Sequence, residues 1–312
     1  MTDHIGIDLG GTKVEAVRLA RDGRERWRRR VPTPVGDYAA TVRAVVALAQ
    51  QALAAAPGAA TLGIGTPGTP GADGRMKNCN STCLNGRPLP ADLRAALGRP
   101  LALANDANCL ALSEATDGAA AGAAVVFAVI LGTGVGAGIT VHGRVLGGPN
   151  GLAGEWGHNP LPWAQPETAP GQGEPAWRCW CGQRGCLETL LSGPALARDH
   201  LHVSGQALSG EQIAAGALAA DAACTATLDR HAHRLARALA GVVNLLDPDV
   251  VVLAGGVSRL PGLVDRVTAQ WRRWVFAGGA PGEPLRTVLR LSAHGDASGV
   301  RGAAWLGARA GG

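Results

Sequence analysis

Lysine is nearly missing from this chain: Lys13 and Lys77 are its only two, and the formal net charge of +5 is carried by scattered arginines. Without a basic stripe or a reader motif, that charge gives no reason to expect nucleic acid as a partner. The one dense run, residues 24–30, mixes arginines with Glu25 and Trp27 and reads as the solvated face of a strand. Long apolar runs are missing as well. No stretch approaches the roughly 18 residues of a membrane span, and a strand-like pattern begins by residue 4, leaving no room for a signal peptide. The expectation is a cytoplasmic protein without membrane contact. Low-complexity segments are lacking too, and 46% hydrophobic with 17% charged residues exclude a disordered chain. The Gly-x-x-x-x-Gly-Lys-Ser/Thr spacing does not occur, so no glycine turn here is a Walker loop.

What is present starts with length. At 312 residues the chain exceeds the roughly 250–300 that one core supports, so two domains meeting at a ligand-binding cleft are expected. The opening reads as a strand (4–9), a turn at Gly10-Gly11-Thr12, a strand (13–20), an Asp22-Gly23 turn and a third strand (24–31). A helical pattern over 37–56 and a buried strand at 61–65 follow. About 120 residues later the opening returns, as a strand (125–131), the turn Gly132-Thr133-Gly134, a strand (135–141) and a second turn at His142-Gly143. The chain therefore reads as duplicated, each half offering a glycine hairpin to the gap, with the hinge near Glu114 to Gly122. Two long helical patterns over 211–246, a strand at 250–253 ending in Gly255-Gly256, and a last helix over 298–310 complete it. Residues 166–175 read as a mobile loop.

Four groups of residues carry chemistry. Asp8-Leu9-Gly10-Gly11-Thr12-Lys13 places a carboxylate, then two residues without side chains, then a hydroxyl at a strand end. Backbone N–H groups approach a polyphosphate closely only where Cβ is absent, and a neighbouring acid can hold hydrated Mg²⁺. Gly132-Thr133-Gly134 repeats these parts, although each turn alone could be a plain hairpin. Gly63-x-Gly65-x-x-Gly68 matches a dinucleotide fingerprint formally, but Pro67 and Pro70 break the helix it requires. Asn105-Asp106 follows an apolar strand and opens a helix, so either residue can cap it, while Asp106 can also accept a proton from an attacking hydroxyl. Finally, of seven cysteines, Cys179, Cys181 and Cys186 cluster around Gly182 and Gly185. With His158 they complete a closed Cys₃His set for structural Zn²⁺. Glu155 and Glu188 flank the cluster, so the metal would fix a carboxylate pair able to accept from vicinal sugar hydroxyls.

Together with Gly65-Thr66-Pro67-Gly68, Leu103 to Asn108, Leu131 to Gly138, Gly154-Glu155-Trp156-Gly157-His158 and Cys179 to Glu188, these motifs resemble the ROK (repressor, ORF, kinase) sugar kinases of the actin/hexokinase-like superfamily over nearly the whole chain. The resemblance implies an α/β, actin-like (ribonuclease H-like) duplicated fold of two domains with mixed sheets and a cleft between them. The domains would be 1–116 with 298–312, and 117–297 carrying the zinc loop. It implies ATP, Mg²⁺ and Zn²⁺ as cofactors, a small sugar as partner, and a homodimer. Asp106 would be the general base that activates a hexose 6-hydroxyl. Gly68, Asn80, Asn105, Asp106, Glu155, His158 and Glu188 would contact the sugar. Asp8, Gly10, Gly11, Thr12, Lys13, Gly132, Thr133, Gly134, Gly255 and Gly256 would hold the nucleotide and its metal. Ala254 departs from the glycine many members carry there. Repressor members have an N-terminal helix-turn-helix, whereas a strand begins at once here, which favours a kinase over a sugar-responsive regulator. The segments 78–86 and 154–163 look most like the fructokinase and manno(fructo)kinase branch, with D-fructose the expected substrate. The N-acetylglucosamine kinases and glucokinases are the alternative.

Overall fold

A computed structural model describes residues 2–55, 58–276 and 284–310. In chain order the first half contains β1 (Asp3–Leu9), β2 (Lys13–Leu19), β3 (Glu25–Pro32), α1 (Tyr38–Ala54), β4 (Ala60–Thr66), a small hairpin of β5 (Thr69–Pro70) and β6 (Met76–Lys77), α2 (Leu89–Leu97), β7 (Ala102–Asn105) and α3 (Asp106–Thr116). Then come β8 (Val125–Leu131), β9 (Val135–Val141), β10 (Arg144–Val145), α4 (Glu188–Leu191), α5 (Gly193–Ser204), α6 (Gly210–Leu218), α7 (Ala222–Leu246), β11 (Val250–Ala254), α8 (Leu263–Trp271), β12 (Val288–Leu291) and α9 (Ser298–Ala310). The expected end of α1 at residue 56 lies outside the described residues, as do the expected first domain's residues 1, 311 and 312.

The duplication is plain in the strand order. One sheet runs β3-β2-β1-β4-β7 and the other β10-β9-β8-β11-β12, so each places its third, second, first, fourth and fifth strands in the same sequence. β1 and β2 pair antiparallel and β4 joins β1 in parallel, as β11 joins β8. Both sheets are therefore mixed. The chain divides into two compact units, Met1–Gly122 with Gly138–Ala153 and Ala293–Gly312, and Ala123–Ala137 with Gly154–Ser292.

In the first unit, Ile5, Ile7, Val14, Ala16 and Ile64 of the sheet are buried beside Leu48 and Ala52 of α1. α9 lies against the same sheet without the usual side-chain spacer. A Cβ on Gly63 would stand 1.9 Å from the Ala303 carbonyl oxygen and one on Gly6 2.0 Å from that of Val300, while one on Gly302 would fall 1.7 Å from the Cys109 carbonyl oxygen of α3, so α9 packs backbone on backbone against both. This intimacy explains the Ala/Gly composition of the last helix.

The arginine run is not simply a solvated face. Glu15 is buried and accepts from Arg28 and, at 2.9 Å, from Arg30, while buried Asp3 pairs with Arg18 at 2.5 Å and Arg26 at 3.3 Å. Acids placed inside by strand alternation on β1 and β2 need these partners, because an unpaired buried carboxylate is costly. The 211–246 pattern is broken where Ala220 takes a left-handed φ of 61° between α6 and α7. Helices α2, α5 and α8 escaped the sequence reading; α2 and α8 span only nine residues each.

Candidate functional site

In the first unit the residues of interest gather at the carboxyl ends of β1, β4 and β7. The β1–β2 turn closes with Gly10 N–H donating to the Lys13 carbonyl at 3.0 Å, and the Thr33 hydroxyl donates to the Gly10 carbonyl at 2.7 Å. A cavity of about 310 Å³ brings Gly11 and Thr12 of this turn together with Asn80, Ser81 and Thr82. The loop carrying Asn80 is held by Asn85, whose side-chain oxygen accepts from Cys79 N–H at 2.9 Å and whose amide donates to the Cys79 carbonyl at 3.0 Å. Sequence reading placed Asn85 within the segment 78–86 but gave it no role of its own. Gly68 has a φ of 103°, and a Cβ there would stand 2.5 Å from the Lys77 carbonyl oxygen, so this glycine serves the β5–β6 hairpin geometry.

At the β7–α3 junction the cap falls to one residue of the pair. Asn105 caps α3, its side chain accepting from Asn108 N–H at 2.8 Å, which leaves Asp106 exposed at the first helical position with an oxygen 2.7 Å from Ala107 N–H. Asp8 lies close enough to matter electrostatically. Burial first, then Asp106, then Glu15 push its carboxyl up from 3.8 to about 7, against the pull of Lys13. Glycines make room for it: a Cβ on Gly299 would meet an Asp8 oxygen at 3.2 Å. Lys13, expected at the nucleotide, has its ammonium 3.3 Å from Glu15. A cluster of Asp8, Asp106 and Glu15 with the charge of Asp8 disfavoured is an environment that a dication relieves, so Asp8 fits as a holder of Mg²⁺.

In the second unit the β8–β9 turn repeats the first. Gly132 N–H donates to the Gly134 carbonyl at 3.0 Å, and Gly193 N–H at the start of α5 donates to the Gly132 carbonyl at 2.8 Å. The absence of a side chain at 134 has a specific reason, since a Cβ there would stand 2.8 Å from Oε2 of Glu188. That oxygen accepts from Val135 N–H at 3.1 Å, and Oε1 accepts from the Trp180 indole Nε1–H at 2.7 Å. Thr133 and Glu188 border a second cavity of about 310 Å³ with Trp180 and Ser192. Gly157 packs its backbone under β9, a Cβ there falling 2.0 Å from the Val135 carbonyl oxygen, which places Glu155 and His158 beside the same turn. Gly255, with φ 87°, sits where a Cβ would meet the Leu131 carbonyl oxygen at 2.3 Å, and Gly256 next to it faces open space.

The ligand atoms of His158, Cys179, Cys181 and Cys186 all lie within 4.8 Å of one another. Cys179 Sγ is 3.6 Å from His158 Nδ1, and Cys181 Sγ is 3.6 Å from Cys186 Sγ. Zn–S bonds of about 2.3 Å and Zn–N bonds of about 2.0 Å put tetrahedral ligand atoms about 3.5–3.8 Å apart, so these spacings fit zinc. With His158 as the fourth ligand, a metal held here would have no position for water. Trp180, between two of the cysteines, was quoted in the motif but given no role. Its contact with Glu188 depends on how the loop folds back, which spacing does not encode.

Among the described residues, no helix is long and apolar enough to cross a membrane. The sequence profile of the ROK family matches residues 4–310. The chain is 38% identical over 307 residues to an N-acetyl-D-glucosamine kinase of Escherichia coli, a match spanning 97% of this chain and 98% of that one. A ROK hexokinase from Thermus thermophilus is similar in structure with a TM-score of 0.83 and 32% identity, covering 99% of this chain and 98% of that chain. A ROK family glucokinase from Streptomyces griseus, solved in complex with glucose and AMPPNP, gives a TM-score of 0.75 and 28% identity over 98% of this chain and 99% of that chain. Carrying these motifs at full length on a duplicated α/β scaffold, the chain belongs to the ROK family of sugar kinases, with their actin/hexokinase-like fold.

Proposed function

We propose that this kinase transfers the γ-phosphoryl of ATP to the 6-hydroxyl of a free hexose, and that N-acetyl-D-glucosamine is its preferred acceptor. The supporting observation is the full-length 38% identity to kinases named for that sugar. D-fructose, with mannose, was the expectation from residues 78–86 and 154–163; it has less support, because those short segments do not outweigh identity over the whole chain.

Asp106 accepts the proton of the 6-hydroxyl, whose oxygen then attacks the γ-phosphorus in line as the bond to the β,γ-bridging oxygen breaks and ADP leaves. Its exposed carboxylate at the end of β7, beside Asn105, suits that role. Gly68, Asn80, Asn105, Glu155, His158 and Glu188 hold the sugar. Gly10, Gly11, Thr12, Gly132, Thr133 and Gly134 offer bare backbone to the phosphates, Lys13 adds charge nearby, and Gly255 and Gly256 line the nucleoside. Mg²⁺, held through Asp8, supplies neutralisation of phosphate charge. Zn²⁺ at His158, Cys179, Cys181 and Cys186 is structural, fixing the loop that carries Glu188. The reading keeps domains of 1–116 with 298–312 and of 117–297, in a cytoplasmic homodimer.

A coupled ADP-release assay across N-acetylglucosamine, glucose, mannose and fructose tests it. The highest kcat/KM is expected for N-acetylglucosamine. Fructose in first place would restore the motif-based expectation, and no release with any hexose would overturn the kinase reading for this chain.

A further inference from the structure

We propose that Trp180 is the residue that selects a 2-acetamido sugar, its indole forming the apolar wall against which the acetamido methyl rests. This rests on the reading that Glu155, His158 and Glu188 hold the sugar.

Three observations converge on this side chain. Trp180 stands between Cys179 and Cys181, and with both neighbours turned toward a common centre its own side chain leaves in another direction. It reaches Glu188, to which Nε1–H donates at 2.7 Å. The ring also meets His158 edge-on, with centroids 5.0 Å apart and planes at 87°. One indole thus touches two of the side chains assigned to the sugar.

The second observation is exposure. Despite those contacts Trp180 is 72% exposed, so most of its apolar surface has no partner in the protein. Its polar atom is satisfied and its orientation is fixed at both ends. Such a ring is pre-organised and offers a large apolar face at little cost in side-chain entropy.

The third is space. Trp180 and Glu188 together border the cavity of about 310 Å³ in the second unit, so a substituent beside the carboxylate has room next to the ring. Carboxylates and an imidazole recognise hydroxyls, which every hexose carries. An acetamido group replaces a hydroxyl with an amide N–H, a carbonyl and a methyl, and the methyl is the part that an apolar surface rewards. The indole supplies it at the carboxylate the sugar must reach.

The test compares Trp180→Ala and Trp180→Phe with the wild type, measuring kcat/KM for N-acetylglucosamine and for glucose, with circular dichroism to verify folding. Both variants remove the Nε1–H that orients Glu188, so both sugars lose rate; the ratio between the sugars is the informative quantity. In Trp180→Ala that ratio is expected to fall about tenfold or more, the scale on which a small apolar group is discriminated. In Trp180→Phe, which keeps a ring, it should stay within about threefold of wild type. An unchanged ratio in the alanine variant overturns the proposal while leaving the kinase reading intact. If the wild type phosphorylates neither sugar, the kinase reading fails, and emission titrations of wild type against Trp180→Phe decide the rest. A change specific to Trp180 on adding N-acetylglucosamine but not glucose supports the contact, and its absence overturns it.

Discussion

Glu188 is gripped from two sides: Trp180 of the cysteine loop donates to one carboxylate oxygen at 2.7 Å, and Val135 N–H of the second glycine turn donates to the other at 3.1 Å. The same acid thus joins the segment predicted to hold zinc to the turn predicted to hold phosphate. Glu188→Gln keeps the shape but offers one acceptor to two donors. Leaving a part-buried donor unpaired costs about 1–3 kcal/mol, so KM for the sugar should rise about 10- to 100-fold. Steady-state kinetics with the sugar varied would show it, and an unaltered KM would detach Glu188 from the acceptor site.

Asp106→Asn is the sharpest test of the chemistry. Asparagine retains an oxygen for the Ala107 N–H, so α3 should start unchanged. Loss of the proton acceptor is expected to lower kcat about 10²- to 10⁴-fold while sugar binding by calorimetry stays near wild type. Activity within tenfold of wild type would assign the base elsewhere.

For the Cys₃His cluster, elemental analysis should find about one zinc per chain. Chelation or Cys186→Ser should lower the melting temperature, because metal binding to a site formed only in the folded state is itself folding free energy. A metal-free chain with the same melting temperature would remove zinc from the account.

Two buried groups tilt stability against pH in opposite directions. Asp8 keeps its proton up to about 7 when folded and gives it up near 3.8 when unfolded, so through that window the folded state holds the extra proton and stability falls as pH rises. His231, buried and held at about 4 first by burial and then by Arg234, stays neutral while the unfolded chain protonates below 6.5, so stability falls as pH drops through that range. Urea midpoints of Asp8→Asn should therefore climb more steeply than wild type between about pH 4 and 7, and Mg²⁺ should raise the wild-type midpoint near pH 7. Parallel curves for the two proteins would mean that Asp8 titrates normally.

Gly302→Ala probes the packing of α9. The added methyl would fall 1.7 Å from the Cys109 carbonyl oxygen, a backbone atom that cannot swing aside. Overpacking of this kind costs about 1–3 kcal/mol or more, readable as a lower urea midpoint. A midpoint equal to wild type would show that α9 can lift away freely.

Much of the scaffold was legible in the residues. Both glycine hairpins, the strand patterns that flank them and the last helix occur where periodicity and turn chemistry put them, because each is specified within about ten neighbouring residues. The cysteine cluster was legible for the same reason, three of its ligands falling within 179–186. The arginines of β3 are largely exposed as expected, but their pairing with Glu15 and Asp3 was not legible because those acids come from other strands. Substrate choice was misweighted since short segments near a pocket carry little of its shape.

By itself the sequence determined the duplicated order of strands and helices, the two bare-backbone turns, and the grouping of Cys179, Cys181 and Cys186 with His158. Only the tertiary structure decided that Gly134 must lack a side chain to admit Glu188, that Trp180 bridges Glu188 and His158, and that Asp8 holds its proton to near neutral pH. The first set follows from backbone preferences and local spacing, which act between neighbours in the chain. The second follows from packing and Coulomb interaction between residues up to tens or hundreds of positions apart, which exist only once the chain has folded.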